Sequence, residues 1–239
     1  ELNGDGSVAV GLTWWDGCHS SGFRWTQADG MKRMDTLGNG TNRASVVNSA
    51  GNVIGGFAQG TFDRTPTIWG ANGAGELLDP PHGDAQGEVF GMSHSGAILL
   101  GIWNGKACKW SNAGAVRTQI GNGSALPGWA GNAMDIANNG TVIGFDFLVG
   151  NRRAWIVPPG ATTMVDLKNY VIANGGTVPS TTVLEVAQAI SSNGSMIIGH
   201  TAFLGAWIVR QTPTNLCGAD MAPAGGDGIV DGTDLGVLL

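Results

Sequence analysis

The chain has 239 residues, of which 41 are glycine, 42% are hydrophobic and only 13% are charged, and its formal charge is −6. The high hydrophobic and low charged content excludes a disordered polymer, and nine prolines without a three-residue glycine period exclude collagen. Twelve Lys and Arg residues give no reason to expect nucleic acid, and no apolar run approaches the length of a bilayer span.

From the N-terminus onward one frame recurs five times: a polar turn ending in Gly, three or four mostly apolar residues, and a second Gly. The instances run from Gly6 to Gly11, Gly51 to Gly55, Gly96 to Gly101, Gly140 to Gly144 and Gly194 to Gly199. The polar–Gly step predicts a two-residue hairpin turn that needs positive φ, and the flanking apolar runs predict two antiparallel strands. An aromatic-bearing strand follows each frame, at Phe23-Arg24-Trp25, Thr67-Ile68-Trp69, Cys108-Lys109-Trp110, Ala154 to Val157 and Ala206 to Val209. Trp25, Trp69, Trp110, Val157 and Val209 take equivalent places in this alignment. A fourth short strand is expected over 31–34, 76–78, 116–120 and 164–167. Four strands per repeat of roughly 40–50 residues predict propeller blades, so the fold class is all-β: a β-propeller of about five four-stranded blades. A β-sandwich would leave five copies in register unexplained.

Gly6-Ser-Val-Ala-Val-Gly11 followed by Gly22-Phe-Arg-Trp-Thr-Gln-Ala-Asp-Gly-Met31 resembles the HAF repeats of bacterial extracellular repeat proteins. Later repeats depart from that pattern: Pro66-Thr67 and Ala107-Cys108 lack its Phe, and the fourth and fifth shift its Trp. The resemblance covers about residues 1–210 and implies a secreted or cell-surface propeller-like protein. It implies no reaction.

The repeats divide approximately as 1–42, 43–84, 85–127, 128–182 and 183–212, followed by a tail over 213–239. Because Gly6 aligns with Gly51, Glu1 aligns with Val46, and the first strand of the first repeat is mostly missing; residues near 210–216, upstream repeats of a longer precursor or a neighbouring chain are the alternatives for closing the ring. The chain begins at Glu1 without Met, which reads as a processed or excised segment. The tail carries Asp220, Asp227, Asp231 and Asp234 and no Lys or Arg, so 14 acids and 12 bases remain over 1–212, a charge of −2. The stretch from Asp227 to Leu235 is similar to half of a type I dockerin or an EF-hand loop. In that register Asp227, Asp231 and Asp234 are Ca²⁺ ligands, and Ile229 offers its carbonyl. Pro223 and Gly225 fall where side-chain ligands belong, and Asp220 serves only through a longer loop. The competing reading is a plain acidic Gly/Pro tail.

Cys18, Cys108 and Cys217 match no zinc spacing. Cys18 and Cys217 lie in loop-like sequence and are expected to pair, while Cys108 is expected to be a buried thiol. His19, His82, His94 and His200 are scattered over different repeats. Asp16, Asp63, Asp135 and Asp146 are the candidates for a pair of glycosidase carboxylates converging on a channel; no nucleophile elbow, phosphate loop or zincin motif occurs. Five of the nine tryptophans (Trp25, Trp69, Trp110, Trp155, Trp207) read as core anchors. An aromatic also recurs after the second frame Gly, at Trp14, Phe57, Trp103, Phe145 and Phe203, which favours packing between blades. Trp14, Trp15 and Trp129 are the candidate ligand-binding residues, since exposed loop aromatics on a rigid β-scaffold suit sugar or partner contact.

These features point to a secreted binding or scaffold module, non-catalytic, with a glycan or protein ligand and a Ca²⁺-stabilised tail for docking. The alternatives are a carbohydrate-active enzyme with channel carboxylates and a self-assembling surface or fibre component.

Overall fold

Glycine turns each strand back on its predecessor. Gly6, Gly51, Gly96, Gly140 and Gly194 all have φ between 72° and 87°, a region that side-chain-bearing residues avoid. Each donates its N–H to the carbonyl of the residue three positions earlier (Asn3, Asn48, Ser93, Ala137 and Ser191), at 2.7–3.2 Å. The turn is therefore longer than the expected two residues, with glycine at its left-handed end. The polar lead residue extends it. Asn48 Oδ1 accepts from the N–H groups of Asn52 and Val53, Ser93 Oγ from Ile98, and Ser191 Oγ from Met196.

The computed structural model describes residues 1–15, 19–38, 40–79, 86–112, 117–121, 131–146, 152–201 and 205–210. Residues 1–209 form one unit and 210–239 a second. Apart from Arg210, the second unit lies outside the described residues, and with it the tail aspartates and Ile229.

Five antiparallel sheets follow in chain order, each a meander of consecutive strands. Blade 1 holds β1 (Val8–Trp15), β2 (His19–Thr26) and β3 (Gly30–Arg33). Blade 2 holds β4 (Thr41–Val47), β5 (Val53–Gln59), β6 (Thr65–Gly70) and β7 (Gly75–Leu77). Blade 3 holds β8 (Gly87–Met92), β9 (Ile98–Trp103), β10 (Lys106–Ser111) and β11 (Arg117–Gln119). Blade 4 holds β12 (Gly131–Ile136), β13 (Val142–Asp146), β14 (Arg153–Val157) and β15 (Val165–Asp166). Blade 5 holds β16 (Val186–Ile190), β17 (Met196–Thr201) and β18 (Gly205–Arg210). The architecture is the all-β propeller the repeat predicts. Three blades have four described strands and two have three. One helix was not expected: α1 (Leu167–Ala173) starts where Asp166 Oδ1 accepts the N–H of Asn169 at 2.9 Å, so the fourth strand of blade 4 shrinks to two residues.

The second frame glycine has a different task. In the first strand of blades 2 to 5 the pairing register slips by one residue, after Ala44, Val89, Ala133 and Ala187. The bulged residues are thus Ser45, Phe90, Met134 and Gln188, each six positions before the turn glycine. Opposite each bulge stands a glycine (Gly56, Gly101, Gly144, Gly199), and a Cβ there would collide with the carbonyl oxygen of Arg43, Glu88, Asn132 or Val186 respectively. A bulge bends the strand and aims its backbone at the partner, so only glycine fits. In blade 2 the position belongs to Gly56, one residue after the frame glycine read from the sequence.

The core is a series of inter-blade layers. Val8 and Val10 of β1 pack with Ala44, Ile54 and Trp69 of blade 2. Ile68 of β6 packs with Val89, Leu99 and Trp110 of blade 3. Leu100 and Ala107 meet Val142, Trp155 and Val157 of blade 4, and Ile143 and Ile156 meet Ala187 and Ile197 of blade 5. The aromatic alignment has a register basis: Trp25, Trp69, Trp110 and Val157 lie opposite Ala9, Ile54, Leu99 and Val142, equivalent residues of the second strand. Trp69, Trp110 and Trp155 are buried as expected. Trp25 is not a core anchor, because it lies on the side of blade 1 turned away from blade 2 and is 39% exposed. Trp207 is only half-buried. Cys108 is a buried free thiol, and burial pushes its pKa up to about 11.

Candidate functional site

The turns of neighbouring blades are lashed together at one end of the propeller. Gly4 N–H donates to the Ser49 carbonyl at 3.1 Å, Ser49 to His94 at 3.1 Å, and Asn138 to Ser192 at 2.7 Å. These residues stand two positions before their turn glycines, so the repeat itself places them in line. Asn48 Nδ2 reinforces the blade 2–blade 3 link by donating to the Ser95 carbonyl.

Inside this rim lies a cavity of about 220 Å³ to which all five blades contribute. Its polar wall comes from Asn48, Ser49, Ser93, His94, Asn138 and Ser192, with Met92, Ile136 and Ile190 beneath. Two carboxylates face it. Asp135 follows the bulged Met134; its Oδ1 accepts the N–H of Ile136 at 2.8 Å and its Oδ2 that of Ile190 at 2.9 Å. Burial raises its pKa against the lowering effect of those two donors. Glu1, an exposed residue, is raised to about 7 by burial of its carboxyl against the opposing charge of its own α-ammonium, with the charge of Asp135 adding to the rise and a hydrogen bond from the Val47 backbone lowering it.

Of the three described aspartates among the four singled out by sequence, Asp135 alone lines this cavity. Asp146 is fully buried in β13, its Oδ1 accepting the N–H of Arg153 at 3.1 Å. Asp63 lies between β5 and β6, its carbonyl accepting from Thr65 Oγ1. Asp16 lies outside the described residues, as do Trp129, Cys18, Cys217, His82 and Phe203. His94 sits exposed in its turn as expected. Glu1 carried no sequence signal as a site residue, because only the alignment of blades brings it opposite Asp135.

Trp14 and Trp15 end β1, far along the strand from the turn. Trp14 is 70% exposed, whereas Phe57, Trp103 and Phe145 are buried, so the expected packing role fails for Trp14. Its register explains this. Phe57 and Phe145 directly follow the glycine opposite the bulge and Trp103 comes second, but Trp14 is third after Gly11, beyond the cover of blade 2.

A second charged group, unforeseen from sequence, joins blades 2 and 3. Glu88 of β8 is 1% exposed. It accepts from Arg43 Nε at 2.9 Å and Ser45 Oγ at 2.7 Å, with Arg64 at 3.5 Å. Both guanidiniums lie over the Phe57 ring, at 5.4 and 4.2 Å from its centre. The cluster ties blade 2 to blade 3 across their junction. Among the described residues no group of three or more His, Cys, Asp or Glu is placed to hold a metal ion, and no helix is long and apolar enough to cross a membrane.

No family model and no curated protein matches the chain. Solved structures do. A protein assigned as TolB from Agrobacterium tumefaciens superposes with a TM-score of 0.58 at 12% identity, over 83% of this chain and 67% of that one. TolB from Acinetobacter baumannii gives 0.57 at 10% identity, over 86% and 50%. The chain thus spans half to two thirds of the length of these neighbours. At such low identity the likeness establishes the propeller fold alone.

Proposed function

We propose that the protein is a secreted, non-catalytic binding or scaffold module that receives a glycan or protein segment at the turn end of its channel. The observation that carries this reading is the cavity to which five blades contribute, its hydrogen-bonding groups coming from separate turns and its two carboxyl groups from blades 1 and 4. Sites of this kind orient a ligand through a few fixed polar groups. Trp14 supplies a separate exposed aromatic. The resemblance to HAF repeats supports an extracellular setting, and the Asp220–Asp234 tail supports a calcium-stabilised docking segment. Screening the wild-type chain against a glycan array and a peptide panel tests the proposal. The expected result is binding without turnover, weakened at least tenfold in Asp135→Asn; binding that this variant and His94→Ala leave intact moves the ligand away from the channel. For the tail, loss of protease protection on chelating calcium is expected, and unchanged cleavage removes the calcium reading.

The pairing of Asp135 with Glu1 favours one alternative, a carbohydrate-active enzyme using these two acids. Release of reducing ends from any array ligand, abolished in Asp135→Asn, would replace the binding reading with that one.

A further inference from the structure

We propose that the cleft between the turns of blades 3 and 4 is a subsite of the channel for the acetamido group of an N-acetylhexosamine. The subsite rests on the channel being the binding site. Around the rim, the residue two positions before a turn glycine donates its N–H to the carbonyl of its counterpart in the next blade: Gly4 to Ser49, Ser49 to His94 and Asn138 to Ser192. The rung from His94 to Asn138 is missing, although both residues line the cavity. By the same repeat, the His94 N–H and the Asn138 carbonyl face each other across the junction of blades 3 and 4. Among the described residues neither group has a partner.

The gap has a cause in the sequence. Asn3 and Asn48 lead their turns and reach the next blade, Asn3 Nδ2 donating to the Ser49 carbonyl at 3.2 Å and Asn48 Nδ2 to the Ser95 carbonyl at 3.1 Å. Blade 3 has the shorter Ser93 at this place, its Oγ held inside its own turn by the Ile98 N–H at 3.0 Å and Ser95 Oγ at 3.4 Å. The turn glycines record the difference. A Cβ on Gly51, Gly96 or Gly194 would meet the Nδ2 of Asn3, Asn48 or Asn139 of the preceding blade at 2.7–3.1 Å, whereas one on Gly140 would meet no atom within 4 Å. Along their first strands blades 3 and 4 do meet, since a Cβ on Gly91 would collide with the Met134 carbonyl. The two blades therefore part at their turns.

A trans secondary amide points its C=O and N–H in opposite directions. One such amide in the cleft accepts from His94 and donates to Asn138, which restores the rung. Its methyl group then lies against Met92, Ile136 and Ile190, the buried apolar residues beneath the rim. The sugar hydroxyls meet Ser192 and Asp135, whose two oxygens each accept one backbone N–H and keep a further lone pair. A peptide unit would also fill the cleft but would bring these groups no hydroxyls, so the sugar is favoured. At about 220 Å³ the cavity falls below the roughly 300–1,000 Å³ of pockets for drug-sized ligands, a size suited to a single sugar unit.

The test titrates the isotopically labelled full chain with N-acetylglucosamine, N-acetylgalactosamine, glucosamine, glucose and N-acetylalanine N-methylamide, read by amide NMR and hydrogen exchange. At least one of the two acetamido sugars is expected to bind about tenfold or more tightly than the other three probes, and to slow exchange at the His94 amide by a similar factor. His94 is the second residue of the turn Ser93–Gly96, a position that tolerates proline, so His94→Pro deletes the N–H with little strain. It is expected to weaken the acetamido sugar about tenfold more than His94→Ala, which keeps the N–H. Should His94→Pro fail to fold, exchange at His94 in wild type decides. Slow exchange there in the free protein overturns the proposal, as does equal binding of glucose or of the N-methylamide. If another ligand binds in a manner sensitive to Asp135→Asn and neither acetamido sugar does, the subsite is removed and the channel reading stands. If no ligand is sensitive to Asp135→Asn, both fall.

Discussion

Among the described residues, blades 2, 3 and 4 are covered on both faces, whereas blades 1 and 5 each leave one apolar face uncovered. On blade 1 the open face carries Trp25 and Met31, 39% and 59% exposed; on blade 5 it carries Met196, Ile198 and Ile208, 39%, 43% and 56% exposed. The counterparts inside the stack, Trp69 and Trp110 for Trp25 and Ile143 for Ile198, are buried to 1% or less. Residues in equivalent register therefore differ in environment because of their neighbours, not because of their own strand. Burial of a large side chain is worth about 1.5–3 kcal/mol, so the inner junctions hold the larger share of the stability.

The largest test of this contrast is Trp110→Ala beside Trp25→Ala. The first is expected to cost about 3–5 kcal/mol by urea unfolding and the second under about 1 kcal/mol; equal losses would mean that the face of blade 1 is covered in solution. Next comes Glu88→Ala. It leaves Arg43 and Arg64 without their carboxylate and is expected to cost about 3 kcal/mol, somewhat less because both arginines reach solvent. A loss near zero would show that the tie contributes nothing at the blade 2–blade 3 junction. Third, Gly101→Ala forces a Cβ onto the Glu88 carbonyl, costing about 2–3 kcal/mol. Gly11→Ala meets only an aromatic ring edge that has room to shift, and is expected to cost about 1 kcal/mol.

The smallest effect is electrostatic. Asp135 and Glu1 have folded-state pKa values above their ordinary ones, so the folded protein holds these protons more tightly than the unfolded chain. Their contribution is favourable at acidic pH and is lost as pH rises, for Glu1 between 4.5 and about 7. Thermal melts of wild type are expected to gain on Asp135→Asn as pH falls toward the ordinary carboxylate range. A difference that does not change with pH would count against a raised Asp135 pKa.

Much of the architecture was legible because it repeats. The turn glycines, the alternating strands and the tryptophan register follow from local rules, since positive φ needs glycine and a period of two separates faces. The site was only partly legible. Asp135 stood out as one of four scattered aspartates, with nothing local to rank it above Asp63 or Asp146. Trp14 looked like its aromatic counterparts until its register showed it lying beyond its neighbour's cover. The helix after Asp166 was missed because Met164 to Leu167 reads equally well as a strand, and tertiary packing of Leu167 against Ile156 and Ala187 decided otherwise.

The sequence by itself determined five antiparallel units, their glycine punctuation and a nearly neutral body before an acidic tail. Those properties depend on backbone geometry and composition, which each residue carries with it. Tertiary structure alone decided which equivalent residues are buried, that Glu1 and Asp135 line one cavity, and that Glu88 gathers two arginines. Each of these depends on chain segments from different blades, and no local pattern encodes which of them will touch.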